Sequence, residues 1–268
     1  MTLVRRFVSI AAMLAFTAPL AAQMGGPPLS PPPPGVAEGE GAGHPKGAYA
    51  ALDALPDWGG IWFVVRPASD AASPPVPKLK GEYLAGYEAW REQAIANHGV
   101  VARERSNCSP PGLPRIMQLA QYPYEFLFTP GRVTINQEAW MQTRTIWTDG
   151  RQHPPAEELD PSFHGHSVGH WEGDALVVET VGIDDSLEFG TNGMKHSGQF
   201  VLRERIYLLL GNPDMLVNEM RMEDPLALEE PFEITTRYRR DRHGALIEFQ
   251  CAENDRNPID EDGMTLFE

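Results

Sequence analysis

Histidine, the side chain that titrates nearest neutrality and the commonest metal ligand, occurs eight times in this chain, and three of the eight stand at His164, His166 and His170. In an extended segment side chains two apart share a face, so all three imidazoles line up with Val168. The spread along one strand is too great for all three to reach one ion. A zinc or copper site is therefore expected to use His164 and His166, completed by His153 or His196 from elsewhere. No H-E-x-x-H or similar local motif accompanies them, and a polar loop entering a strand explains the same residues.

A second chemical signal is a lone carboxylate. Phe200, Leu202, Glu204, Ile206 and Leu208 alternate onto one face, and Glu204 is its single ionisable group. A buried carboxylate is either raised in pKa, and so able to move protons near neutrality, or neutralised by an arginine such as Arg144 or Arg237. Glu138 shares a face with Thr134, Asn136 and Trp140 and poses the same question. His196 opens the apolar strand that holds Glu204, which makes His196 with Glu204 or Glu138 the candidate proton-transfer pair. Gly165-His-Ser167-Val-Gly169 matches the letters of a nucleophile elbow. That elbow needs a strand-to-helix turn, and residues 171–178 continue as a hairpin instead.

These residues need strands to aim them, and the chain supplies strands. From residue 124 onward, short alternating runs at 124–128, 132–139, 144–147, 167–171, 175–181, 200–210, 215–223, 232–240 and 245–251 are separated by Pro130-Gly131, Asp149-Gly150, Glu172-Gly173-Asp174, Gly211-Asn212-Pro213-Asp214 and Arg242-His243-Gly244. Residues 57–65 form a further strand. The pattern predicts an antiparallel meander. One helix is expected over residues 79–96, where Tyr83, Tyr87, Trp90 and Ala94 make an apolar stripe at helical period and Asn97-His98-Gly99 ends it. Neither a βα alternation nor a G-x-x-x-x-G-K-[ST] loop is present, which argues against nucleotide binding.

Gly60-Ile61-Trp62 resembles the G-x-W opening of lipocalin-like barrels. The run from Gly165-His166-Ser167-Val168-Gly169-His170-Trp171-Glu172-Gly173-Asp174 through Ala175-Leu176-Val177-Val178-Glu179-Thr180 resembles the G-x-S-x-G-R-W-E-G-D-T-L-V-V-D-T block of a large family of exported bacterial proteins of unassigned function. Cys108-Ser-Pro-Pro-Gly-Leu-Pro114, Asp149-Gly150-Arg151-Gln152-His153-Pro154, His196-Ser197, Glu204-Arg205 and Asp224-Pro225 extend the likeness over about residues 108–254. The chain departs from it at His170, in place of arginine, and at Ala175, in place of threonine. The resemblance implies a fold type and export, and carries no activity.

Export is also written at the start of the chain. Arg5 and Arg6 precede an uncharged run over residues 7–22 that ends in Ala21-Ala22, the layout of a cleavable signal and shorter than a membrane span. The arginine pair leaves general and twin-arginine export both open. Residues 23–51, rich in Gly and Pro with Pro31-Pro-Pro-Pro34, are expected to be a spacer, and residues 52–268 a single domain. Removing Arg5 and Arg6 takes the net charge from −15 to −17. Such a surface repels phosphate backbones and anionic lipid, so neither nucleic acid nor a membrane surface is an expected partner. The 42% hydrophobic content is enough for one sizeable core. The only two cysteines, Cys108 and Cys251, are expected to pair in an oxidising compartment.

Together these features predict a periplasmic or secreted lipocalin-like barrel with a helix across one mouth, holding a small apolar or aromatic molecule in a partly polar lumen. Trp62, Trp140, Arg144 and Ser167 are the residues expected to contact it. The alternative is a lyase, isomerase or hydrolase that uses the histidine and carboxylate pair or a histidine-bound metal in the same lumen. The sequence leaves the ligand and the oligomeric state open.

Overall fold

Runs with an apolar residue at every second position cannot bury that face alone, and closing a sheet on itself both buries it and removes the sheet edges. The chain takes that solution. A computed structural model describes residues 47–66, 75–99, 101–103, 108–188, 193–250, 261 and 265–267. The chain divides into two units, residues 1–43 and 44–268, and every described residue belongs to the second. The expected signal peptide and the spacer up to residue 46 lie outside the described residues. Residues 48–51, also expected as spacer, are instead the start of a 3-10 helix, Ala48–Ala54.

The strands are β1 (Ile61–Val64), β2 (Val101–Arg103), β3 (Tyr124–Thr129), β4 (Arg132–Gln137), β5 (Gln142–Trp147), β6 (His166–Glu172), β7 (Ala175–Val181), β8 (Val201–Leu209), β9 (Asn212–Glu223), β10 (Phe232–Asp241) and β11 (Thr265–Phe267). Nine of them close a lipocalin-like barrel in the order β1-β10-β9-β8-β7-β6-β5-β4-β3, with β1 pairing β3 at the seam. Strands β2 and β11 form a separate two-stranded sheet. The expected meander is interrupted once: β5 and β6 run parallel. Parallel neighbours need a crossover, and residues 148–165 provide it. The strand expected at 245–251 is absent over its described part, residues 245–250. With β10 paired to β1 and β1 to β3, the sheet leaves no edge for it.

Helix α1 (Gly81–Ala96) forms where the apolar stripe predicts. Tyr83, Tyr87, Trp90 and Ala94 are its half-buried positions and the rest of the helix is exposed. Its start is tied down by the Lys80 amide, which donates to the Ala227 carbonyl at 3.0 Å. Further along, Trp90 lies over Gly193, where φ is +74° and a Cβ would come within 2.4 Å of the indole, so only glycine allows this approach. The helix therefore sits at the end of the barrel that carries the β7–β8 and β9–β10 connections. Among the described residues no helix is long and apolar enough to cross a membrane.

The opposite end is closed by aromatic rings: Trp58 lies 5.5 Å from Phe126, 5.3 Å from Phe128 and 5.4 Å from Trp171. Beside them Arg240 braces the seam. It donates to Asp57 Oδ2 at 2.9 Å and to the Pro213 carbonyl at 2.8 Å, and its guanidinium lies 4.6 Å from the Trp62 ring centre. Cys108 is half-buried and no free cysteine occurs among the described residues. Cys251 lies outside them.

Candidate functional site

Strand alternation turns Arg144, Ser167, Thr180, Glu204, Asn218 and Tyr238 inward, and they meet in the middle of the barrel. Arg144 Nη1 donates to Glu204 Oε1 at 3.1 Å and Nη2 to Glu204 Oε2. The same Nη2 donates to Thr180 Oγ1 at 3.0 Å and to Ser167 Oγ at 3.2 Å, and Asn218 Nδ2 donates to Glu204 Oε1 at 2.9 Å. Of the two open readings of Glu204, the structure realises the ion pair, with Arg144 rather than Arg237. The side chains of the pair are 2% and 0% exposed, so both charges are removed from water and neutralise each other.

The polar chain continues through two tyrosines whose rings are 5.4 Å apart. Burial pushes the Tyr238 hydroxyl well above the usual phenol range, with Tyr124 and Glu204 adding to the effect, and that hydroxyl donates to the Met117 carbonyl at 2.6 Å. Tyr124, also raised by burial, donates to the Ile116 carbonyl at 2.8 Å and accepts from the Leu119 amide at 2.9 Å. Gln137 Nε2 donates to that same Ile116 carbonyl at 2.7 Å.

Around this chain Trp62, Leu176, Leu202, Ile206, Leu216 and Met222 have no exposed surface at all. A space large enough for water would expose some of them. The middle of the barrel is thus filled by its own side chains, and the expected central lumen is corrected to a packed polar core. Of the residues expected to contact a ligand, Arg144 and Ser167 are joined in this core. Trp62 is buried at the seam, its Nε1 donating to the Trp58 carbonyl at 2.9 Å.

The proposed proton-transfer residues have separate surroundings. His196, 1% exposed, donates from Nδ1 to the Ser197 carbonyl at 3.0 Å and packs 4.6 Å from the Phe200 ring. Burial lowers its pKa, opposed by Asp224, Asp185 and Asp184. Asp224 accepts from Ser197 Oγ at 2.8 Å and from the amides of Leu226 and Ala227, each at 3.0 Å, so it holds a turn. Glu138, at the β4–β5 connection, accepts from the Ile247 amide at 3.0 Å. Glu204 bonds Arg144 and Asn218, and the structure gives His196 contact with neither carboxylate among its described partners.

The histidines also divide. His153 Nδ1 and His166 Nδ1 are 2.8 Å apart on the outer wall. Burial lowers both pKa values, with Arg151 adding to the effect at His166. His164 instead donates from Nε2 to Gln142 Oε1 at 3.2 Å, and burial followed by the Arg144 charge lowers its pKa to about 4. It stays neutral at working pH. His170 is exposed on the outer wall, 3.2 Å from Glu172. Among the described residues no group of three or more His, Cys, Asp or Glu is placed to hold a metal.

Trp140 stands at the end of the barrel that carries α1. In the β4–β5 connection Trp140 has φ +55° and Met141 φ +50°, a left-handed conformation that costs an L-residue roughly 1–2 kcal/mol. The Trp140 carbonyl accepts from Gln142 Nε2 at 3.0 Å, which continues the link from His164. Tyr122, Trp140 and Phe249 form an aromatic shelf, with ring centres 5.3–6.0 Å apart. Three buried polar atoms on residues linked to this connection have no partner among the described residues: Trp140 Nε1, Gln137 Oε1 and His164 Nδ1. Gln137 faces Gln142 across β4–β5. Sequence reasoning missed Tyr122, Phe249, Gln137 and Gln142. Only the paired glutamines, at equal distances from the turn, were available as a signal.

The outer wall over β7–β10 carries an open groove of about 480 Å³ lined by Arg203, Arg205, Arg221, Glu172, Glu219 and Glu233 among others. Its arginines are already paired, Arg205 with Glu172 at 2.7 Å and Arg221 with Glu233 at 2.5 Å. Compared with protein-family models and with curated proteins, the chain matches none.

Proposed function

We propose that the protein is an exported barrel that binds a small aromatic molecule carrying a polar group, at the Trp140 rim rather than in the barrel centre. The observation that supports this reading is a set of buried atoms with no partner among the described residues, Trp140 Nε1 on the aromatic shelf and Gln137 Oε1 and His164 Nδ1 on residues joined to it through Gln142. An indole N–H and an amide oxygen left unpaired in a buried place each cost free energy. A hydroxyl on an aromatic ring both donates and accepts, and stacks where Tyr122, Trp140 and Phe249 present ring faces and edges. Strained backbone at two bulky residues is the kind of feature that collects at ligand sites. Cleavage near Ala22, location in the periplasm or medium, and a Cys108–Cys251 bond complete the reading.

The test is a calorimetric titration of the mature protein with 2-naphthol. Saturable binding is expected. Trp140→Leu should weaken it at least tenfold, whereas Trp147→Leu, on the outer wall under Arg151, should leave it unchanged. Absent binding, or equal loss in both variants, ends the proposal. Export is tested separately: the mass of protein recovered from the periplasm should correspond to a chain beginning near Gln23, and thiol alkylation before reduction should label neither cysteine.

A further inference from the structure

We propose that His153 and His166 form an open bis-imidazole site for a zinc or copper ion on the outer wall of the barrel, with Glu179 as its positioning residue. This inference is independent of the Trp140 rim. His166 points outward because its neighbour Ser167 points inward to Arg144. The β5–β6 crossover folds back over that wall and is pinned there by Arg151, whose guanidinium lies 3.6 Å from the Trp147 ring centre and donates from Nε to Asp149 at 3.0 Å. The crossover thereby brings His153 Nδ1 to 2.8 Å from His166 Nδ1.

Glu179 gives this pair a direction. Its Oε1 lies 3.4 Å from His153 Nε2 while its Oε2 is held by Arg203. The carboxylate therefore stands on the far side of His153 from His166, where an Nε2–H turned to donate to it would leave Nδ1 to present its lone pair to His166. A histidine whose far nitrogen donates to a carboxylate is the usual arrangement behind a metal-ligating imidazole. Two nitrogens each about 2.0–2.1 Å from one zinc in a tetrahedral set are about 3.3 Å apart. The rings are inclined at 71° and their facing nitrogens are 2.8 Å apart, so both rings must turn to open that gap by about 0.5 Å and aim at a common ion. Binding replaces the one proton the two Nδ1 atoms share, and that proton leaves to solvent.

Two imidazoles from one strand and one loop leave the remaining coordination positions to water or an exogenous ligand. Imidazole pairs of this kind favour copper(II) and zinc over magnesium or calcium. His164 takes no part, since it is directed inward to Gln142.

The experiment adds copper(II) to chelator-treated mature protein and reads stoichiometry by calorimetry and nitrogen hyperfine structure by electron paramagnetic resonance. One ion per chain with two coordinated nitrogens is expected. His166→Ala and His153→Gln should each abolish the two-nitrogen signal and weaken binding at least tenfold. His170→Ala and His243→Ala should change neither. Glu179→Gln should keep both nitrogens and lower affinity by roughly 10-fold. Substoichiometric binding, or a two-nitrogen signal that survives His166→Ala and His153→Gln, overturns the site. Both substitutions lie outside the packed core, and a melting curve of each confirms the fold. Because naphthol binding is read at another place, failure of either proposal leaves the other standing.

Discussion

On β8 the side chains of Arg203, Glu204 and Arg205 point alternately out, in and out, and each is ion-paired. Outside, Arg205 meets Glu172 with both side chains about half exposed, and Arg221 bridges Glu223 and Glu233 in the same way. Water screens these pairs, so each contributes little to stability. Inside, Glu204 and Arg144 have lost their water altogether. Every favourable contact there offsets a desolvation penalty, so the pair adds little net stability while intact and costs much when half of it is removed. Equal chemistry one residue apart on the strand thus does opposite work. The outer pairs dress a surface, whereas the inner pair ties β5, β6, β7, β8 and β9 into one register through Ser167, Thr180 and Asn218.

The largest effect should come from splitting the inner pair. Glu204→Gln conserves volume and leaves Arg144 buried without a counter-charge, at an expected cost of about 3–5 kcal/mol in urea unfolding. Arg144→Met should cost a similar amount. The double variant Arg144→Met/Glu204→Leu should recover most of the loss, because no uncompensated charge remains. If Glu204→Gln lost less than about 1 kcal/mol, the inner pair would be equivalent to the outer ones and the contrast would fall.

A second, smaller contrast lies between His164 and His170. The folded-state pKa of His164, about 4, lies below its unfolded value. The unfolded chain therefore takes up a proton first as pH falls. Stability from His164 is complete above about pH 6.5 and is lost on acidification toward pH 4, to a limit of roughly 3 kcal/mol. Melting curves of metal-free protein at pH 7.5 and 4.5 measure it. His164→Gln should shrink the difference between the two, and His170→Gln, exposed on the outer wall, should leave it as it is. An unchanged difference in His164→Gln would show that other groups carry the acid sensitivity.

Alternation made the direction of side chains within the regular strands legible, but it misplaced His164, which lies before β6 and turns to Gln142 instead of sharing the outward face of His166 and His170. The face of Phe200, Leu202, Glu204, Ile206 and Leu208 singles out Glu204 and names Arg144 among its partners, and the stripe of Tyr83, Tyr87, Trp90 and Ala94 identifies the buried side of α1. Alternation does not report how many inward side chains compete for the same space. A polar inward residue looks the same whether it lines a lumen or joins a packed network, and only the meeting of residues from β3 through β10 decides for the network. The parallel β5–β6 pair was hidden for a related reason: a crossover and a long hairpin loop read alike until their ends are joined. Tyr122 and Phe249 reach Trp140 from loops far apart in sequence, beyond the reach of any local pattern.

The smallest expected effect completes the contrast on β8. Arg205→Ala removes one member of an exposed pair from the strand position next to Glu204, and Glu172 then regains full hydration at almost no cost. The stability change should be within about 0.5 kcal/mol, and it should shrink further as salt rises from low ionic strength to 0.5 M, since a Debye length of a few ångströms screens the pair in either variant. The Arg144→Met loss, by contrast, should persist at both salt concentrations, because no ions enter the packed barrel to screen Glu204. Urea unfolding of both variants at two salt concentrations reads this directly. A salt-insensitive loss above about 1 kcal/mol in Arg205→Ala would mean that the outer wall carries register as the core does.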